Sequence, residues 1–406
     1  MNILDKASLI LQKPVCDHCL GRQFGQLMHG YSNDQRGKIL RTIVAMSIDK
    51  EKNKHDLDIS NFYNYKFHNL EEKQKKQQKC SVCDDLFKNL DKWVDRIVKS
   101  SKKYEFKKFL IGTRLSSELI QKEEELWERV GIDYCEPLKA EVNREIGKKL
   151  EKRIKAAGNP KNADINFILD FKKNRVMVEI NPLFIYGEYQ KLIRGIPQTK
   201  WPSKKYRTSV EQIIAKPFMT ATKGKSHNLH GLGREDIDAR CLAWRPFVLE
   251  ILNPEYRNLP LKKLSKKIKK GVNVRKLRLS AMKEVRELKE MRVDKSYSML
   301  VECKKSLAKN DVKKIKKIVG EIKQKTPTRV LHRRADRYRV RKVKEIRYKY
   351  INKKRFSLTV KGEAGLYIKE LVSGDNGRTR PSISLLLENE CVCKDLDVVK
   401  IHMKNK

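Results

Sequence analysis

The chain has 406 residues, enough for two or three domains at roughly 150 residues each, and its 39% hydrophobic share supports packed cores and excludes a disordered chain. Lys and Arg number 93 against 50 Asp and Glu, and the net charge of +43 repels itself unless a large polyanion is bound, nucleic acid first. A lysine-rich solvated surface is the plainer source of part of that excess. No apolar run approaches the roughly 18 residues that span a bilayer, and residues 7–11 are too short for a secretory core, so the expected location is cytoplasmic with no membrane partner.

In chain order, Cys16-Asp17-His18-Cys19 leads into apolar positions at helical spacing, Ile39, Leu40, Ile43, Val44, Met46 and Ile48. Residues 50–79 are polar and lysine-rich without a period and read as a long connection. Cys80-Ser81-Val82-Cys83 then precedes an amphipathic helix carrying Leu86, Leu90, Val94 and Ile97, with Trp93 beside them. Between 104 and 200 the pattern is α+β. A short buried strand is expected at 109–112 and a helix at 116–130. Pro137 opens a second helix with Val142, Ile146, Leu150 and Ile154 on one stripe. Residues 165–170 and 175–180 form a hairpin across Lys172, Lys173 and Asn174. Beyond 201, strands are expected at 247–252, 297–303 and 356–360, with basic helical segments at 261–270 and 311–319.

Nine cysteines, an odd number, do not make a disulfide scaffold. Two C-x-x-C turns, Cys16/Cys19 and Cys80/Cys83, together supply the four thiolates of a tetrahedral structural Zn²⁺ site. The other reading is two unrelated pairs, one redox-active, but neither pair has a βαβ context. His18 is not needed as a ligand and is expected to be exposed. Cys135, Cys241, Cys303, Cys391 and Cys393 read as packing residues, the last two on one face of a strand.

The run Gly231-Leu232-Gly233-Arg234-Glu235-Asp236 is a glycine loop that ends in acids and feeds an apolar strand through Cys241 to Phe247. Such a loop suits a catalytic carboxylate at the mouth of a sheet, and it equally suits a surface turn with ordinary ion pairs. Both readings stand on composition alone.

The segment from Gly233 to Phe247, with Cys16-Asp17-His18-Cys19-Leu20-Gly21-Arg22-Gln23-Phe24-Gly25, resembles the archaeal-type tRNA pseudouridine synthase family acting on uridines 54/55, the tenth-numbered pseudouridine synthase family. Residues 186–198, 324–334, 367–372 and 374–382 extend the resemblance, in order, over nearly the whole chain. It implies an α+β protein in two parts. An N-terminal zinc-bearing, THUMP-containing RNA-binding domain would cover 1–200, and a pseudouridine synthase domain with a mixed, mainly antiparallel sheet would cover 201–406. It also implies tRNA, through its T-arm, as partner, with uridine 54 and uridine 55 both open as targets. Beyond structural Zn²⁺, no redox or nucleotide cofactor and no obligate protein partner is expected.

Pseudouridine formation breaks the C1′–N1 bond, turns the uracil and joins C5 to C1′. The resemblance places the required carboxylate at Asp236, ahead of Glu235 and Asp238. It makes Tyr297 the active-site tyrosine, stacking on the flipped base and assisting proton transfer, and Lys369 the basic partner whose positive charge keeps the aspartate ionised. Ile368 and Leu396 supply an apolar wall. Arg234 would help extrude the uridine and Arg378 would bind a phosphate or support the site, although each also reads as a plain backbone contact. Residues 261–270 and 311–317 would grip the RNA backbone. Trp244 stands where relatives tend to have a small polar or glycine-containing turn, which raises the question of a narrowed pocket. The rival reading from another class is a non-catalytic tRNA-binding or tRNA-folding protein, and intact Asp236, Tyr297 and Lys369 argue against it. A THUMP-bearing methyltransferase would need a glycine-rich cofactor loop after a strand, and the chain has none.

Overall fold

The computed structural model describes residues 1–52, 56–70, 76–203 and 205–403, with only the backbone at 333. Its contacts divide it into two units, Met1–Asn181 and Pro182–Lys406. Residues 182–200, which the sequence reading gave to the first domain, thus belong to the second. The reason is a strand at Leu183–Lys191 whose two edges are both hydrogen-bonded inside the second sheet.

In the first unit, helices α1 (Ile3–Ile10), α2 (Asp17–Gly21), α3 (Asn33–Glu51) and α4 (Leu90–Ser101) join a four-stranded sheet. Its strands, β1 (Lys108–Arg114), β2 (Ala157–Gly158), β3 (Ile165–Asp170) and β4 (Arg175–Ile180), lie in the order β2-β1-β3-β4. Helices α5 (Ser117–Val130) and α6 (Leu138–Glu151) complete the unit. A capping box between Ser32 and Gln35 starts α3 by satisfying donors that the helix leaves open. Of the six apolar positions expected to face a core there, Leu40, Val44 and Ile48 are buried, while Ile39, Ile43 and Met46 are exposed. The buried stripe continues back to Gly37, where a Cβ would lie 2.0 Å from the Asp17 carbonyl oxygen, so α2 and α3 touch through their backbones.

The expected connection at 50–79 is not simply polar, because Leu57, Ile59 and Phe62 are buried and Ile59–Phe62 form a 3₁₀ turn. Its residues 53–55 and 71–75 lie outside the described residues. The expected hairpin is present as the antiparallel pair β3–β4, with Asn174 at φ 47° in its turn. Along α6, Leu138, Val142, Ile146 and Leu150 are fully buried, one above the next.

In the second unit a ten-stranded sheet runs β13-β10-β11-β12-β9-β14-β7-β5-β8, with β6 paired to β7 off that path. The strands are β5 (Leu183–Lys191), β6 (Ser226–Gly231), β7 (Arg240–Leu252), β8 (Val272–Ser280), β9 (Lys295–Cys303), β10 (Gly320–Lys325), β11 (Tyr338–Asn352), β12 (Arg355–Gly362), β13 (Thr379–Arg380) and β14 (Cys391–Ile401). Every pairing is antiparallel except β14 with β7, the mixed and mainly antiparallel sheet that was expected. Helices α7 (Val210–Thr222), α8 (Leu261–Ser265), α9 (Met282–Glu290), α10 (Ile368–Ser373) and α11 (Ile383–Leu386) cover it.

Ile214 and Phe218 of α7 pack with Phe247, Leu249 and Ile251 of β7 in one core, and Leu371 and Val372 of α10 pack with Leu358 and Val360 of β12 in another. The basic segment at 261–270 is helical only as far as Ser265. The segment at 311–319 is a 3₁₀ helix, Asp311–Ile318, that buries Val312, Ile315 and Ile318 and leaves its lysines outside.

Candidate active site and metal centre

The loop between β6 and β7 turns its two consecutive acids in opposite directions. Gly233, at φ +74°, occupies a backbone region that side chains resist, and it lets the chain turn sharply after Leu232. Glu235 goes inward. Its carboxylate accepts hydrogen bonds from the Tyr189 hydroxyl at 3.0 and 3.1 Å and pairs with Arg245 Nε at 3.1 Å. Gln198 Nε2 ties the same cluster to the loop, donating to Tyr189 Oη at 2.8 Å and to the Gly233 carbonyl at 3.0 Å. Burial, reinforced by Glu235, pushes the Tyr189 hydroxyl well up from its ordinary value. Glu235 is therefore spent on structure.

Asp236 points the other way, into a cavity of about 740 Å³. Its Oδ1 lies 3.2 Å from Arg329 Nη1 and its Oδ2 lies 3.6 Å from Lys369 Nζ, so two cations flank it. Lys369, the partner expected from sequence, is closer to Asp238, donating at 2.6 and 2.7 Å. Burial pushes the Asp238 carboxyl up, and the bonds from Lys369 outweigh it and hold the group below the usual range. Arg329 comes from the 3₁₀ turn Thr328–Arg333 and is fixed from behind by Glu370 Oε1, 2.7 Å from its Nε.

Behind the loop, Lys191 is fully buried and its ammonium donates to the carbonyls of Ile196, Asp236 and Ile237 at 2.7, 3.2 and 2.9 Å. One buried cation thus pins the backbone that carries the aspartate. None of Lys191, Tyr189, Gln198, Arg245, Arg329 or Glu370 was singled out from sequence. All but Arg245 and Glu370 lie in polar stretches, 186–198 and 324–334, where charged groups inside otherwise strand-like or turn-like segments were the available signal.

The remaining site candidates divide. Tyr297 on β9, Ile368 at the start of α10 and Leu396 on β14 all line the cavity with Asp236 and Lys369. Burial pushes the Tyr297 hydroxyl up to about 12, against the pull of Arg245. Arg234 is exposed at the cavity wall. Arg378 does not line the cavity. It donates to the Thr326 carbonyl at 2.8 and 3.1 Å and pairs with Asp336, which anchors the segment leading to Arg329. Trp244 also stays outside, because strand alternation sends Arg245 to the cavity and Trp244 to the opposite face, where Arg275 lies 4.3 Å over its ring.

In the first unit the sulfurs of Cys16, Cys19, Cys80 and Cys83 all lie within 4.8 Å of one another, with Cys16 and Cys83 3.6 Å apart. Thiolates about 2.3 Å from a tetrahedral zinc stand about 3.8 Å from each other, so the donor set fits a closed four-sulfur site. Cys16 caps α2, and its amide donates to Cys80 Sγ at 3.3 Å. Asp84 and Asp85, at φ 52° and 60°, follow the second pair, and Asp85 Oδ1 accepts from the Cys80 amide at 3.1 Å. His18 is half-buried rather than exposed as expected. Its Nδ1 lies 2.8 Å from Glu141 and its ring stacks on Phe87 with centroids 4.1 Å apart. Among the other thiols, Cys241, Cys303 and Cys391 are fully packed and Cys393 is half-buried.

Comparison with known proteins agrees with this geometry. Residues 184–402 match the family model "Pus10, C-terminal", and residues 93–170 match "Pus10 THUMP domain, archaeal". The protein named tRNA pseudouridine synthase Pus10 from Pyrococcus furiosus is 38% identical over 98% of this chain and 98% of its own length. Proteins of the same name from Methanocaldococcus jannaschii and Methanothermobacter marburgensis are each 38% identical over 98% of this chain, covering 94% and 98% of their own lengths. By both domain matches and near full-length similarity, the chain belongs to the Pus10 family.

Proposed function

We propose that the chain isomerises uridine to pseudouridine in tRNA, acting on uridine 54, uridine 55 or both in the T-arm, with Asp236 as the carboxylate at the reacting sugar. The observation that carries this reading is the aspartate itself. In a Pus10-family chain it is turned into the cavity, with cations at 3.2 and 3.6 Å, while the adjacent Glu235 is buried in an internal network. An ionised carboxylate there can attack C1′ or take a ribose proton as the C1′–N1 bond breaks. Tyr297 offers a ring for stacking on the flipped base, and a hydroxyl that stays protonated across the physiological range can donate to it. Ile368 and Leu396 present apolar surface to the base. Arg234, unpaired among the described residues, suits the space that the flipped uridine leaves. Lys369 orders Asp238 and supports Asp236. Arg378 supports the site through its hold on Thr326.

Zn²⁺ is the ion that best suits the four-cysteine site. With every position filled by sulfur, it would supply folding energy and no chemistry. The exposed lysines at 261–270 and 311–317 suit the RNA backbone, an attraction that weakens as salt rises. No helix among the described residues is long and apolar enough to cross a membrane, in keeping with work on tRNA in the cytoplasm.

The test is to map pseudouridine in an unmodified tRNA transcript incubated with the protein and no added cofactor. Wild type converts T-arm uridine, while Asp236→Asn forms none and still binds the transcript. Full activity in Asp236→Asn removes Asp236 from the mechanism. A wild type that binds tRNA and leaves every uridine unchanged favours the non-catalytic reading.

A further inference from the structure

Lys295 and Arg245 make a cationic patch in the cavity that the mechanism above leaves unused. Lys295 opens β9 and lies two residues before Tyr297, so both side chains line the cavity from the same face of the strand. Its ammonium lies over Gly233, and a Cβ at that glycine would be 2.8 Å from Nζ and 3.4 Å from Arg245 Nη1. The glycine that turns the aspartate loop thus also leaves room for two positive groups.

Of the other cations of the cavity, Arg234, Lys289 and Arg292 are exposed to water, and most of the rest have partners. Arg329 binds Glu370, Lys369 binds Asp238, Arg334 donates to the Tyr367 hydroxyl, and Arg339 donates to Thr326 Oγ1. Lys295 Nζ has no hydrogen bond or ion pair among the described residues. Arg245 is fully buried, and its Nη2 has no hydrogen-bond partner. A buried donor left open at Arg245 costs free energy unless a ligand oxygen completes it, and the half-buried Lys295 ammonium beside it is free to bind the same ligand.

Resting on the isomerase reading, we propose that the Lys295 ammonium, beside Arg245, binds a carbonyl oxygen of the uracil ring and holds the negative charge that the ring carries once it leaves the sugar. Heterolysis of C1′–N1 leaves the bonding pair on N1, from which the charge spreads to O2 and O4 and raises electron density at C5. That carbon then bonds to C1′ and gives up its proton, while N1 takes one up. A fixed cation at the ring oxygen stabilises the step in which the charge develops. It adds little to the binding of the intact nucleotide, so its effect falls on rate.

The groups facing Lys295 are Arg245 and Cys241 from β7, Glu235 from the glycine loop, Arg292 from the segment before β9, and Tyr297 on its own strand. Burial, then Arg245, lowers the amine to about 8, against the opposing pull of Cys241 and Glu235. The active form is the protonated one, so the rate falls as pH rises through about 8.

Single-turnover conversion of a tRNA transcript, followed between about pH 6 and 9, tests this with wild type, Lys295→Met and Lys295→Arg. Lys295→Met is expected to lose about 100-fold in rate at neutral pH and to keep its transcript Kd within about threefold. Lys295→Arg retains most of the rate and loses the alkaline fall, because a guanidinium stays charged. A Lys295→Met rate within about threefold of wild type, or an alkaline fall in the same place for Lys295→Arg, overturns the proposal. If Lys295→Met does not fold, the wild-type and Lys295→Arg profiles decide it. A wild type without activity overturns the isomerase reading and this proposal with it, whereas an active wild type with indifferent variants overturns this proposal alone.

Discussion

Replacing Arg329 by Leu separates the work this side chain does for stability from the work it does for the reaction. Its Nε holds Glu370 at 2.7 Å, and the Glu370 side chain is only 6% exposed, so the substitution strands a nearly buried carboxylate. Losing one side of such a charge-assisted hydrogen bond costs about 2–3 kcal/mol. The contact with Asp236, between groups exposed by 38% and 32%, adds no more than about 1 kcal/mol because water screens it. On the role proposed for Asp236, the rate should suffer more, since Arg329 is the nearer of the two cations beside that carboxylate, and displacing a reacting group costs about 100-fold. Arg329→Leu combined with Glu370→Leu removes the stranded charge, so most of the stability returns while the rate stays low. Urea denaturation reads the first quantity, and single-turnover pseudouridine formation with enzyme in excess reads the second. If the double variant recovers rate and stability together, Arg329 is a structural residue and its bond to Asp236 is incidental.

Two further outcomes follow from the same geometry. Purified protein should carry about one zinc per chain by elemental analysis, and Cys80→Ser or a strong chelator should lower the denaturation midpoint of the first unit. Metal-free protein with an unchanged midpoint would refute the zinc assignment. Trp244→Ala should leave the conversion rate within about twofold, because the ring lies outside the cavity and the substitution gives up only a cation–π contact of about 0.5–1 kcal/mol with Arg275; a large fall in rate would mean that this face of β7 governs the site after all.

Local chemistry, repeated in sequence, determined much of this protein. The two C-x-x-C turns announced a four-sulfur site because each turn brings its own pair together and only four thiolates fill a tetrahedron. The hairpin strands Ile165–Asp170 and Arg175–Ile180 were legible to the residue, since alternation and a turn-forming Asn174 are short-range properties. Asp236, Tyr297 and Lys369 were named through family resemblance, and the fold gathers all three at one cavity although 133 residues separate the first from the last.

Only the tertiary structure decided which charges meet. It placed Lys369 on Asp238 and gave the closer contact with Asp236 to Arg329, a residue from a turn that sequence order puts far from the aspartate. It buried Glu235 and aimed Asp236 at the cavity, a choice made by Tyr189, Gln198, Arg245 and Lys191 from strands and loops on either side. It moved residues 182–200 into the second unit through the pairing of Leu183–Lys191. Periodicity reports how one segment presents its own faces, whereas strand partners and ion-pair partners depend on which distant segments the sheet brings alongside, and single-segment patterns carry no record of that.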